Sequence, residues 1–361
     1  MRVLIVDDSP VLRMLLQSVL QNAGMQVQEA ESGEQALQIL ASYTPDIITM
    51  DVHMPGMDGY EATARILERH ALPVLVLTAS ANVRDASTAM RALEAGALAV
   101  LEKPTGPGCA DFDALVHNLL RTLRSLAQVK IVRRPRKPAV IQSVALPAGA
   151  ALGESPQLVA IAASAGGPAA LKLLLQPLAA APPWPLLLAQ HISAGFIESF
   201  RDWLASICAL PIHIATDGQA LRPGELYLAP EAYHLGVSAD LRVALRTGRD
   251  NGLFCPSANH LFESVAQSFG SRAIAIQLSG MGRDGAEGLA TLHRCGALTI
   301  AQEPSSAVID SMPLAAISLN ACSMVLPPEG IALLLNTIAS RRISSGTAPE
   351  GVEPCLPTPK F

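Results

Sequence analysis

Short apolar runs recur along this chain from Val3 to Leu326, each cut off at its carboxyl end by a polar residue and followed by a helix-length segment. This rhythm restricts the possible folds more than any other feature. Val3-Leu4-Ile5-Val6 stops at Asp7-Asp8, and Pro10 to Ala23 has helical periodicity closed by Gly24. Val27 to Ala30 reads as a strand and Gly33 to Ser42 as a helix. Asp46 to Met50 delivers Asp51 into the turn Met54-Pro55-Gly56-Met57-Asp58-Gly59. A helix (Tyr60 to His70), a strand (Val74 to Thr78), a helix (Arg84 to Glu94, stopped at Gly96) and a strand (Ala99 to Glu102) follow, and Asp111 to Leu126 closes the unit. Five βα repeats in this order predict a doubly wound parallel sheet over residues 1–122, with its active residues at the carboxyl ends of the strands.

A composition shift follows. Between Ala114 and Gly153 there is no acidic residue, whereas Arg121, Arg124, Lys130, Arg133, Arg134, Arg136 and Lys137 are basic and Pro135, Pro138 and Pro147 interrupt the stretch. That pattern predicts a solvated linker over residues 123–156. From Leu158 a second α/β alternation begins and runs to about residue 340. Its strands are Leu158 to Ala163, Leu186 to Gln190, Ala273 to Leu278, Leu298 to Gln302 and Met324 to Leu326, and the run Leu226 to Arg246 reads as antiparallel hairpin material. Residues 341–361, with four prolines, read as a disordered tail. The whole is expected to be α/β: one doubly wound domain and a second, mostly parallel one.

Composition excludes several functions. A net charge of −5 argues against wrapping nucleic acid, and 4% aromatic residues against a stacking platform for single strands. Apolar runs such as Leu186 to Ala189 are strand-length, far short of the roughly 20 residues of a membrane span. Met1 leads directly into a strand, and the six cysteines stand singly, as expected of free thiols in a reducing cytoplasm.

In the first unit, Asp7, Asp8 and Asp51 end neighbouring strands and should crowd together. Carboxylates so placed repel one another, and Mg²⁺, which prefers oxygen ligands, is the natural compensating partner. Thr78 and Lys103 add a hydroxyl and an ammonium at the same point. These are the parts needed to transfer a phosphoryl group onto an aspartate. The residues Asp7-Asp8-Ser9, Asp51, Met54 to Gly59, Thr78-Ala79 and Lys103-Pro104 resemble the response-regulator receiver family, of flavodoxin-like fold. The resemblance implies that Asp51 accepts phosphate from a CheA-type histidine kinase. Asp8 and Asp51 would bind Mg²⁺ directly, with Asp7 near the metal or bridged to it by water. His53 would lend only its backbone carbonyl.

In the second unit, Ser164 lies where an apolar strand breaks into Gly166-Gly167-Pro168 and a helix, which sets its hydroxyl beside the positive end of a helix dipole. Alone this fits a phosphate loop or a structural turn equally well, and Ala162 denies it the G-x-S-x-G pattern. A base and an orienting acid would decide. His191 is the histidine at a strand end. His70, His117 and His293 fall on helix faces or ends, and position does not exclude His234 or His260. Asp284, between Gly282 and Gly285, is the candidate acid.

The segments Ile161 to Pro168, Gln190-His191 with Gly195-Phe196, Gly224 to Pro230, Pro256-Ser257 with Leu261-Phe262, Ser279 to Gly285, and Met312-Pro313 with Ala315-Ala316 resemble the CheB-type protein-glutamate methylesterases of bacterial chemosensory pathways. The resemblance implies Ser164 as nucleophile, His191 as general base and acid, Asp284 as the residue fixing the imidazole tautomer, and the Met281 amide as an oxyanion donor. It also implies methyl-accepting chemoreceptors as substrates, receptor glutamine deamidation, and no cofactor for the ester chemistry. Ala162, Ala165, Asn259, Pro304 and Asp310 depart from the usual pattern. Ala162 and Ala165 are the main support for a rival, a non-catalytic receptor- or kinase-binding regulator or phosphate sink, and a small-ester hydrolase is a third reading. The intact Ser164, His191 and Asp284 count against the regulator.

Overall fold

The strands that read as unbroken apolar runs are buried on both faces, as parallel strands covered by helices on each side must be. The structure is a computed structural model that describes residues 1–78, 90–104, 106, 108, 111–128, 156–179, 181–193, 195–248 and 254–345. Ala79, the start of the helix expected from Arg84, the basic cluster from Lys130 to Lys137, Cys109, Cys355 and the tail beyond Ser345 lie outside the described residues.

The first sheet contains β1 (Arg2–Val6), β2 (Gln26–Ala30), β3 (Ile47–Asp51), β4 (Val74–Thr78) and β5 (Ala99–Glu102), in the order β2-β1-β3-β4-β5 and parallel throughout. The strand order reverses between β1 and β3. A crevice therefore opens beyond their carboxyl ends, where Asp7, Asp8 and Asp51 sit.

The second sheet is also wholly parallel. It is built from β6 (Leu158–Ala163), β7 (Leu186–Gln190), β8 (Ile212–Ile214), β9 (Leu226–Leu228), β12 (Ala273–Gln277), β13 (Leu298–Gln302) and β14 (Met324–Leu326), in the order β14-β13-β12-β6-β7-β9-β8. Its first strand, β6, lies between β7 and β12, so the chain's direction of winding changes there. Ser164, His191 and Asp284 follow these three strands.

The hairpin expectation holds for part of its range only. β10 (Tyr233–Val237) and β11 (Val243–Thr247) pair antiparallel, whereas Leu226–Leu228 joins the large sheet parallel to β7 and β8. All three residues of β9 are buried, which suits a sheet interior rather than a half-exposed hairpin. The edge strand β8 was not expected from the sequence; its three residues are only partly buried and carry little pattern.

One helix ends where expected and another overruns. Helix Phe112–Leu126 ends at Leu126 as expected and so reaches beyond the bound of 122 drawn for the first unit, with Leu119, Leu123 and Leu126 buried along one face. Helix Pro328–Ser345 continues past 340, with no glycine or proline between Ile331 and Ser345 to stop it.

The two units pack together. Ala165, Met281, Val308 and Ile309 of the second join the apolar cluster that contains Leu119, Leu123 and Leu126 of the first. Lys172 meets Glu94 at 2.9 Å, and Ser193 Oγ donates to the Val100 carbonyl at 3.1 Å. Cys208, Cys255, Cys295 and Cys322 are free thiols, and no described helix is long and apolar enough to cross a membrane.

Candidate active site

The strand ends of the first sheet converge. Ligand oxygens of Asp7, Asp8 and Asp51 lie within 4.8 Å of one another, with Asp7 and Asp51 buried and Asp8 exposed. Lys103 Nζ is 2.9 Å from Asp7 Oδ2 and 2.8 Å from Asp51 Oδ1. Burial pushes the Asp51 carboxyl above its ordinary value. Lys103 pulls it down without cancelling that effect, and the Asp7 carboxylate adds to the upward push. One ammonium faces three carboxylates, and an all-oxygen set of this size suits a hard divalent cation. Thr78 Oγ1, at the end of β4, is buried with no hydrogen-bond partner among the described residues. His53 is exposed, and its amide approaches Asp51 Oδ1 at 3.4 Å.

In the second sheet, register does the same work. Ala163 pairs with Gln190 across β6 and β7, so Ser164 and His191 leave adjacent strands side by side. Left-handed Gly166 (φ +76°) turns the chain from Ser164 into helix Gly167–Leu175. His191 Nε2 is 2.9 Å from Asp284 Oδ2. The other ring nitrogen, Nδ1, is buried and has no hydrogen-bond partner among the described residues. The structure thus brings His191 and Asp284 into contact, while Ser164 sits at the neighbouring strand end without a hydrogen bond to the imidazole.

Asp284 is held from four directions. Besides His191, its oxygens accept from Ala258 N (2.7 Å), Asn259 N (3.0 Å) and Ser257 Oγ (3.0 Å), so the carboxylate caps the helix Ala258–Phe269. Burial pushes its carboxyl up, but the hydrogen bond from His191 and those from the Asn259 and Ala258 amides outweigh burial and hold it below the ordinary value.

Several contributors carried no assigned role in the sequence reading. Phe254 stacks flat on His191, with ring centroids 4.7 Å apart and 5° between planes. Gln190 Nε2 donates to the Ser164 carbonyl (3.0 Å) and to the His191 carbonyl (2.8 Å). Gln277 Nε2 donates to the Asp284 and Met312 carbonyls, and Gln302 Oε1 accepts from the Ser279 amide. All three glutamines end buried parallel strands, a repeated signal that could have found them.

Gly280 is where the site tolerates least. A Cβ there would overlap Met312 Sδ and come 2.7 Å from Ser164 Cβ. Gly280→Ala is expected to cost about 1–3 kcal/mol through overpacking and to displace the serine. Thermal unfolding read beside activity would check this, and an unchanged melting curve would mean that the loop gives way freely.

Residues 159–335 match the family model for CheB methylesterase, and residues 3–109 that for the response regulator receiver domain. Over 343 residues, 94% of this chain and 98% of the other, the chain is 48% identical to "Protein-glutamate methylesterase/protein-glutamine glutaminase 3" of Hahella chejuensis. The chain belongs to the protein-glutamate methylesterase/protein-glutamine glutaminase family. A second relative in this family, "Protein-glutamate methylesterase/protein-glutamine glutaminase 1" of Syntrophus aciditrophicus, is 41% identical over 94% of this chain and 98% of its own. A third, from Anaeromyxobacter dehalogenans, is 44% identical over 92% of this chain and 97% of its own. All three align with nearly the full chain, so each alignment spans both the receiver and the methylesterase regions of this chain.

Proposed function

We propose that this chain hydrolyses γ-glutamyl methyl esters on methyl-accepting chemoreceptors in the cytoplasm, giving glutamate and methanol, and deamidates selected receptor glutamines with the same groups. The reading rests on one observation: Asp284 holds His191 through Nε2, while the buried Nδ1 has no partner among the described residues and Ser164 follows the neighbouring strand. In the neutral ring the proton sits on Nε2, facing the carboxylate, and the lone pair sits on Nδ1. Nδ1 takes the hydroxyl proton as Ser164 Oγ attacks the ester carbonyl. The positive end of helix Gly167–Leu175 and the Met281 amide would stabilise the developing oxyanion. Nδ1 then returns the proton to the departing methoxide. Water, deprotonated by the same nitrogen, cleaves the acyl-enzyme to glutamate and restores the serine.

Asp51 would accept a phosphoryl group from a CheA-type histidine kinase. Asp7, Asp8 and Asp51 would hold Mg²⁺, which supplies charge neutralisation for the transfer. Lys103 and the Thr78 hydroxyl would meet the oxygens of the transferred group. Receiver packing against Ala165 and Met281, which flank the proposed nucleophile and oxyanion site, supports control of esterase access by that phosphorylation. Methanol release from methylated receptor membranes is expected to rise with a small-molecule phosphodonor and Mg²⁺, and Asp51→Asn is expected to abolish the rise. Equal stimulation of wild type and Asp51→Asn would overturn the phosphorylation control.

A further inference from the structure

His234 lies on β10 and is 7% exposed, remote in sequence from every residue assigned a role above. Its Nδ1 accepts the Ser257 amide proton at 3.0 Å. A ring nitrogen that accepts an N–H must carry a lone pair, so this ring is neutral at Nδ1. Its surroundings agree. Arg246 stands opposite it across the β10–β11 pair, and the His260 ring lies 5.2 Å away, so a proton added to His234 would meet two basic neighbours.

The bonded amide opens the segment that grips Asp284. Directly after it come Ser257 Oγ, Ala258 N and Asn259 N, the three non-histidine donors to that carboxylate. Anchoring the Ser257 amide sets the direction of all three, and through Asp284 it sets the plane of His191. We propose that His234 is a positioning residue for the His191–Asp284 pair, acting as a neutral acceptor that fixes the turn at Ser257; the inference rests on the esterase reading above.

Two polar replacements separate this role from bulk packing. His234→Asn sets a carbonyl oxygen where Nδ1 was, whereas His234→Gln carries its oxygen further out, near the Nε2 position. In full-length protein, His234→Gln is expected to lower kcat for methanol release by about 10–100-fold with KM unchanged, and His234→Asn to restore most of it. Nitrogen resonances of His191, assigned by their loss in His191→Gln, give a readout independent of turnover. They are expected to show a single Nε2–H tautomer in wild type and His234→Asn, and a tautomer mixture in His234→Gln. If His234→Gln keeps both the wild-type kcat and the single tautomer, the proposal is wrong. It is also wrong if the Asn and Gln variants are impaired equally. A wild type that releases no methanol would count against the esterase reading, and the resonances would still decide the role of His234.

Discussion

Ser164→Ala is expected to lower methanol release by about 10⁶-fold, the scale on which a serine hydrolase loses turnover without its nucleophile. The fold should survive. The side chain is small, and the contacts that seat the residue are backbone ones: its amide donates to the Ser279 carbonyl at 3.0 Å, and its carbonyl accepts from Gln190. The melting temperature should therefore stay near that of wild type, as for substitutions that disturb no packing. Release that persists in Ser164→Ala would remove the covalent mechanism and return the regulator reading to first place.

Asp284→Asn is expected to cost about 10⁴-fold, because it disturbs the tautomer rather than the position of the base. The carboxylate accepts hydrogen bonds from His191 Nε2, the Ala258 and Asn259 amides and the Ser257 hydroxyl. An amide group in its place must turn an NH₂ toward one of these donors. Turned to His191, it pushes the ring proton onto Nδ1 and removes the lone pair needed by Ser164. There its NH₂ also opposes the Ala258 amide; turned the other way, it opposes the Asn259 amide and the Ser257 hydroxyl proton. The same substitution has a pH signature. Because the folded carboxyl titrates below its ordinary 3.8, its stabilisation is complete above that value and is lost as pH falls through the lower folded one. Melting curves taken across pH 2–5, read with about half-unit spacing, should thus lose part of their acid slope in Asp284→Asn. An identical slope in both proteins would show that Asp284 is not held as described.

Most of the site was legible because parallel sheets place chemistry at strand ends. Asp7, Asp51, Thr78, Lys103, Ser164 and His191 each stop an apolar run, so their convergence follows from topology alone. Asp284 was legible through its glycines. What held it was not, since Ser257, Ala258 and Asn259 act mainly through backbone amides, which every residue but proline has. Leu226–Leu228 misled for a related reason. A three-residue apolar strand has no period to separate a sheet interior from a hairpin arm, and only burial on both faces decides it. The packing of helix Phe112–Leu126 against Met281 was hidden too, because its leucine stripe announces a buried face without naming what covers it.

The glutamines at the ends of β7, β12 and β13 raise a question of self-immunity. A site proposed to deamidate glutamine keeps Gln190 in contact with Ser164, its proposed nucleophile. That amide is chemically equivalent to a substrate, so discrimination cannot come from bond strength. It comes from approach. Gln190 binds the Ser164 backbone carbonyl from within the sheet and is 5% exposed, with its nitrogen committed to two carbonyls. Attack requires the carbonyl carbon to meet Oγ along an open trajectory with an oxyanion donor beyond it. A glutamine offered from outside on a receptor helix can satisfy that trajectory, and one built into the scaffold beneath the serine cannot.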